Sequence, residues 1–197
     1  MNALGLVVLI ALLPVADALT AEQGPASGQP PINTYREWVR RFIHDQHISG
    51  AAVALFDREH TIWSEGFGDR SQRSRAKVDP ATLFSIQSIS KTITATAVML
   101  AVQDGLVELD RPVTEYLPDF TVNSCFAEKP ERKITLRLML GCAAGFTHEP
   151  SVGNNYDCPF PSYEAHYRSI RNSWLMFPVG KRYSYSNIGF DVAARVI

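Results

Sequence analysis

No stretch of this 197-residue sequence is apolar for long enough to cross a bilayer as a helix, which takes about 20 residues. The N-terminal run "LGLVVLIALL", Leu4 to Leu13, is half that length. Charge of one sign is also lacking. The net charge is −1, and no acidic or basic block stands out. That excludes a reading as a nucleic-acid or membrane-surface binder. Cysteine is scarce, with only Cys125, Cys142 and Cys158. In an oxidising compartment two of them could pair and leave one free. Cys142 and Cys158 are the nearest such pair, and a chain with no disulfide fits equally well. His44 and His47 lie three apart but have no third ligand nearby, so they read as a solvated helix end rather than a metal site.

What is present fits an exported globular protein. Apolar residues make up 46% and charged residues 20%. The apolar N-terminal run is followed by Pro14 and by the small-x-small pattern Ala16-Asp17-Ala18. Residues 1–18 therefore read as a signal peptide, although its start carries no Lys or Arg. The expected location is secreted or periplasmic, with no stable membrane span once the signal is cleaved. Residues 19–33 include "TAEQGPASGQPPIN" and read as a linker. Residues 34–197 are long enough for one sizeable core.

Thr34 and Glu37 have the spacing of a capping box. Tyr35, Trp38, Val39, Phe42 and Ile43 then trace one apolar stripe of a helix. "GAAVALFDREHTIWSEGFGD", Gly50 to Asp69, reads as two strands around the polar turn Asp57 to His60. A lone hairpin is marginal in water, and no other convincing strand follows. "RSQRSRAK", Arg70 to Lys77, is an exposed loop. It contains one S-x-x-K, Ser74 to Lys77, whose lysine would stay solvated and be a poor base.

A second S-x-x-K, Ser88-Ile89-Ser90-Lys91, opens a very different segment. Ile89, Ile93, Ala97, Leu100 and Ala101 form one helical face, and Val98, Met99 and Val102 make the other sides apolar. Such a pattern predicts a buried helix, with Gly105 as its stop. Ser88 falls at its N-terminus and Lys91 one turn on. Burial would make the neutral amine accessible as a proton acceptor. A hydroxyl, a nearby base and the N–H groups of a helix start are the parts of an acyl-transfer site.

The later segments come in a telling order. They are "LVELDRPVTEYLPDF" (Leu106 to Phe120), "KITLRLMLGCAAGF" (Lys133 to Phe146) and "FPVGKRYSYSNIGFDVAARVI", which holds Tyr185-Ser186-Asn187. With Ser88 and Lys91 they resemble the serine β-lactamase superfamily, in its branch of class C β-lactamases, D-alanyl-D-alanine carboxypeptidases and esterases. The resemblance runs from about Asn33 to Ile197. It implies an α+β fold of the β-lactamase/transpeptidase type, an antiparallel sheet flanked by helices plus a helical lobe. It implies Ser88 as the acylated nucleophile and Lys91 as its proton partner. It implies Tyr185 as a second base, brought towards phenolate by the lysine charge, and Asn187 as a group that bonds Lys91 and a substrate carbonyl. No cofactor and no metal are implied.

Two departures stand out. Cys142, Ala143 and Ala144 occupy positions where the branch carries His, Thr and Ser. The third family motif, K-T-G or H-x-G on a strand, would lie beyond Ile197, with the C-terminal strands. The chain therefore reads as the N-terminal piece of a longer protein, a piece expected to be inactive alone. The expected activity of the whole is that of a serine hydrolase acting on a β-lactam, a D-Ala-D-Ala peptide or an ester. The substrate is thus a small molecule or a peptide, the partners include no nucleic acid, and the oligomeric state is left open. The alternatives are a non-hydrolytic penicillin-binding or sensor module and an inactive truncated gene product.

Overall fold

A computed structural model of the chain describes residues 31–71, 76–154 and 161–197. The leader, most of the linker, Ser74, Arg75 and Cys158 lie outside the described residues. The chain divides between Ile86 and Gln87 into two compact units.

The first unit holds helix α1 (Ile32–Asp45) and an antiparallel hairpin of β1 (Gly50–Phe56) and β2 (Thr61–Gly68). The hairpin follows from its alternating pattern and from Asp57, whose carboxylate accepts from the N–H groups of Glu59 and His60 at 2.8 and 2.7 Å. The capping-box expectation is corrected. The helix starts at Ile32, with Pro31 before it and no side-chain cap, so Thr34 lies inside the first turn. Proline suits a helix start because its missing N–H has no partner there. Along α1, Trp38 stacks on Phe42 at 5.1 Å between ring centroids. Glu65 of β2 accepts from Arg36 at 2.6 Å and from the Trp63 indole at 3.0 Å. The hydrogen bond from Arg36 leads the effects that hold its carboxyl below the usual range. Gly66 is required by contact. A Cβ there would fall 2.3 Å from the Val78 carbonyl oxygen. His44 is exposed beside Asp45 at the end of α1.

The second unit is helical: α2 (Ser90–Gln103), α3 (Leu136–Leu140), α4 (Tyr163–Arg171) and α5 (Ile188–Val196). α2 closes with a Schellman motif. Leu106 N–H returns to the Ala101 carbonyl at 2.9 Å and Gly105 N–H to Val102 at 3.0 Å, with Gly105 at φ +70°. Thr135 and Ser162 cap α3 and α4 through their side chains. α5 packs against both α2 and α3. Its own Ile188 and Val192 are fully buried in one core with Val98, Val113, Phe120, Ile134, Leu136, Met139, Phe146, Tyr167 and Ile170. Phe120 meets Phe146 edge to face at 6.4 Å. Burial pushes the Tyr167 phenol up to about 12, so it stays neutral within this core.

One expectation about α2 is corrected. Among its residues only Val98 is fully buried. Ile93 is 60% exposed and Leu100 55%. Apolar sequence all round the helix does not mean cover all round it. Within the second unit α5 covers one side of α2, and the apolar residues of the other sides remain open. No described helix is long and apolar enough to cross a membrane. An antiparallel sheet in one unit and a helical lobe in the other make the α+β chain that the resemblance implies.

Candidate active site

Four residues expected from the sequence meet in the second unit. Ser88 sits in a 3-10 turn, Gln87–Ile89, that runs straight into α2. Gln87 adopts φ +48°, a conformation uncommon for a residue with a Cβ. Such strain concentrates at functional sites. Ser88 is not the N-cap of α2, which is Ile89 without a side-chain cap, so its hydroxyl is not committed to the helix. The hydroxyl is exposed. Its oxygen lies 2.5 Å from the Tyr185 hydroxyl.

Lys91, one turn on, donates to Asn187 Oδ1 and approaches Ser88 Oγ at 3.4 Å. Its Nζ also lies 4.7 Å from the centroid of the Tyr185 ring and 5.4 Å from that of Phe190, within range for cation–π attraction. The sequence reading expected a buried lysine. Lys91 is instead half-buried, and what restrains it is this set of polar and aromatic contacts.

Tyr185 and Asn187 arrive on the turn before α5. Asn187 is the residue preceding that helix, but its side chain does not cap it. The carboxamide is engaged elsewhere, with Oδ1 on Lys91 and Nδ2 donating to Glu149 Oε1 at 2.5 Å. The turn is fastened to the segment 142–149 at three points. Ser184 N–H donates to the Cys142 carbonyl at 2.8 Å, Ser186 Oγ to Thr147 O at 2.7 Å, and Asn187 N–H to His148 O at 2.8 Å. Cys142, at φ +52°, is buried and free; Cys125 is free and exposed. Among the described residues these two cysteines form no bridge with each other. The carbonyl of Cys142, rather than its sulfur, ties down the Tyr185 turn.

The electrostatics favour ionisation of Tyr185. Burial pushes the phenol up, but hydrogen bonds with Lys91 and Ser88 and the lysine charge outweigh it, leaving the group below the ordinary tyrosine value of 10.0. Asp191, in the first turn of α5, is held above the usual carboxylate value of 3.8, chiefly by desolvation and against the pull of His166. His166 Nε2 faces Asp191 Oδ2 at 3.2 Å, and its Nδ1 faces the Val152 carbonyl at 3.0 Å. Among the described residues no cluster of His, Cys, Asp or Glu is placed to hold a metal ion.

Glu149, Asp191 and His166 were not singled out by the sequence reading. For Glu149 a faint signal exists: it is the only acidic or basic residue, histidine aside, between Arg137 and Asp157.

A serine, lysine, tyrosine and asparagine gathered at the start of one helix, under an α+β architecture, are the arrangement that the serine β-lactamase resemblance implies. The chain belongs to the family described as Beta-lactamase, whose model matches residues 35–197. It is 33% identical to the unguisins hydrolase ungD' of Aspergillus campestris over 87% of this chain and 32% of that protein. It is 30% identical to the mitochondrial serine beta-lactamase-like protein LACTB of Bos taurus, over 59% of this chain and 21% of that one. Among solved structures, EstCE1, a hydrolase with promiscuous acyltransferase activity, superposes with a TM-score of 0.71 at 21% identity. That match covers 84% of this chain and 46% of EstCE1. The fold is thus of the β-lactamase/transpeptidase type. The chain spans about a third or less of the curated relatives it matches.

Proposed function

We propose that the protein carrying this chain is a serine hydrolase that cleaves amide or ester bonds through an acyl-enzyme on Ser88. The observation behind this reading is the 2.5 Å contact between Ser88 Oγ and Tyr185 Oη, beside a lysine that stabilises the phenolate. In the acylation step Ser88 Oγ attacks the substrate carbonyl carbon, and its proton passes to the Tyr185 phenolate. The tetrahedral intermediate collapses when the C–N or C–O bond breaks, and the proton on Tyr185 goes to the departing nitrogen or oxygen. An ester on Ser88 remains. Water then repeats the sequence, giving its proton to Tyr185, and the returning proton restores the Ser88 hydroxyl as the acid leaves. Lys91 acts as the cation that keeps Tyr185 ionised, and Asn187 holds that cation. A hydrolase, an amidase and a carboxypeptidase among the similar proteins support the reaction class. The substrate is a β-lactam, a D-Ala-D-Ala peptide or an ester, and the protein is exported.

The test is acylation of Ser88 itself. A fluorophosphonate or a fluorescent penicillin should label the whole protein, and Ser88→Ala should abolish the label. Equal labelling of the variant by both probes, seen in intact-protein mass spectra, would overturn the reading.

A further inference from the structure

The carboxamide of Asn187 has two ends of nearly the same shape, so packing alone does not tell one orientation from the other. Its neighbours do. On one side is Lys91, whose ammonium only donates hydrogen bonds. On the other is Glu149, whose carboxylate only accepts. A donor-only group facing an acceptor-only group across an amide admits one orientation. The oxygen must face Lys91 and the nitrogen Glu149. Turning the amide over would set N–H against ammonium and oxygen against carboxylate.

Glu149 is well placed to impose this. Its backbone carbonyl accepts from Thr147 Oγ1 at 3.1 Å. The two residues before it accept from Ser186 and Asn187 at 2.7 and 2.8 Å. The segment carrying the carboxylate therefore runs beside the turn carrying Asn187 and is bonded to it immediately ahead of the amide contact. His148 adds a ring contact with Tyr185 at 5.4 Å.

We infer that Glu149 is a positioning residue. It fixes the Asn187 carboxamide and, through it, the Lys91 ammonium beside Ser88 and Tyr185. The inference rests on the proposed acyl-enzyme chemistry for its catalytic consequence, but not for its geometry. The contact that carries this role is the one from Asn187 Nδ2 to Glu149 Oε1. It ensures that Lys91 meets an acceptor at Asn187 and is held where its charge reaches the phenol. One N–H of the Asn187 amide is used by Glu149, and the second remains for a substrate carbonyl.

The experiment compares Glu149→Gln with Glu149→Leu in the whole protein. Glutamine keeps an acceptor oxygen at the same reach. Leucine keeps the bulk and removes the acceptor. Two readouts are taken: the rate of Ser88 acylation by a p-nitrophenyl ester, and the position of Lys91 in crystal structures of both variants. The Gln variant is expected to acylate close to the wild-type rate with Lys91 still on Asn187. The Leu variant should slow by about 10- to 100-fold, the scale of a displaced catalytic group, with Lys91 moved off Asn187. In an Asn187→Ala background the Leu substitution should add nothing further. Glu149→Ala serves in its place where the Leu variant does not fold. An undiminished rate or an undisplaced Lys91 in the Leu variant overturns the inference, and so does a Gln variant as slow as Leu. If wild-type Ser88 is never acylated, the proposed function fails instead, and the crystal structures still decide the role of Glu149.

Discussion

Tyr185 Oη lies 2.5 Å from Ser88 Oγ, whereas Lys91 Nζ is 3.4 Å from the same oxygen. Under the proposed chemistry the shorter contact makes the phenol the direct proton acceptor and the lysine its electrostatic support. Tyr185→Phe and Lys91→Ala should each slow acylation by about 10² or more, the scale of a lost general base. The two should differ in pH dependence. Tyr185 lies below 10.0 because of Lys91 and Ser88, so the acylation rate should rise with pH through a limb below that value. Removing the Lys91 charge moves the limb to higher pH, and removing the phenol abolishes it. Lys77, exposed and paired with Asp69 at 2.7 Å, is the control, and Lys77→Ala should change nothing. Rate–pH profiles of the three variants check this. An unmoved limb in Lys91→Ala would show that the lysine does not tune the phenol.

His166 Nε2 lies 3.2 Å from Asp191 Oδ2, and its Nδ1 lies 3.0 Å from the Val152 carbonyl, which can only accept. Asp191 holds its proton to higher pH in the native chain than when unfolded. The native state then binds more protons than the unfolded one between about pH 3.8 and the raised native value. Stability contributed by this group is full below that window and falls as pH rises through it. Asp191→Asn removes the titration and keeps a side chain of the same shape beside His166. The variant should therefore show a flatter dependence of denaturant midpoint on pH above about 3.8, the ordinary aspartate value. An unchanged slope in chemical unfolding would rule this out.

Gly145 and Gly180 both adopt positive φ, +90° and +75°. Their surroundings differ. A Cβ at Gly145 would fall 2.4 Å from the Phe177 carbonyl oxygen, and one at Gly180 would meet only Leu138 at 3.9 Å. Gly180→Ala should cost roughly 1–2 kcal/mol, the strain of a left-handed residue with a side chain. Gly145→Ala carries similar strain plus a clash with backbone that cannot rotate away, so it should cost clearly more. Unfolding of the two variants side by side measures the difference. Equal losses would mean that the Phe177 segment yields to the added methyl.

Local patterns of the chain were the legible ones. The hairpin could be read because alternation and the Asp57 turn are short-range signals. Ser88 and Lys91 could be paired because three residues along a helix return to the same face. Tyr185 could be joined to them across 97 residues only through a known motif, since nothing in local periodicity reaches so far. Glu149 was missed for the same reason. Its partner lies 38 residues away, on a turn rather than on the next face of a helix. The reading of α2 went wrong in a different way. Apolar residues at Ile93, Met99 and Leu100 show what would gain from cover, while cover itself depends on other segments. Thr34 misled because a capping pattern is common, and the chain found an earlier start at Pro31.

Three backbone and side-chain bonds fasten the turn at residues 184–187 to the segment 142–149. Ser88 lies far upstream of both. The reacting group is thus divided among three stretches that meet only when loops of about 40 to 100 residues have closed, and such closures lag behind local structure. A nascent or partly unfolded chain holds a serine, a tyrosine and a lysine that are ordinary in reactivity. Under the proposed chemistry, competence to acylate arrives only once all three stretches have met. Covalent labelling of Ser88 would therefore serve as a clock for the last stage of folding, one that gives no signal from helices and hairpin formed in isolation.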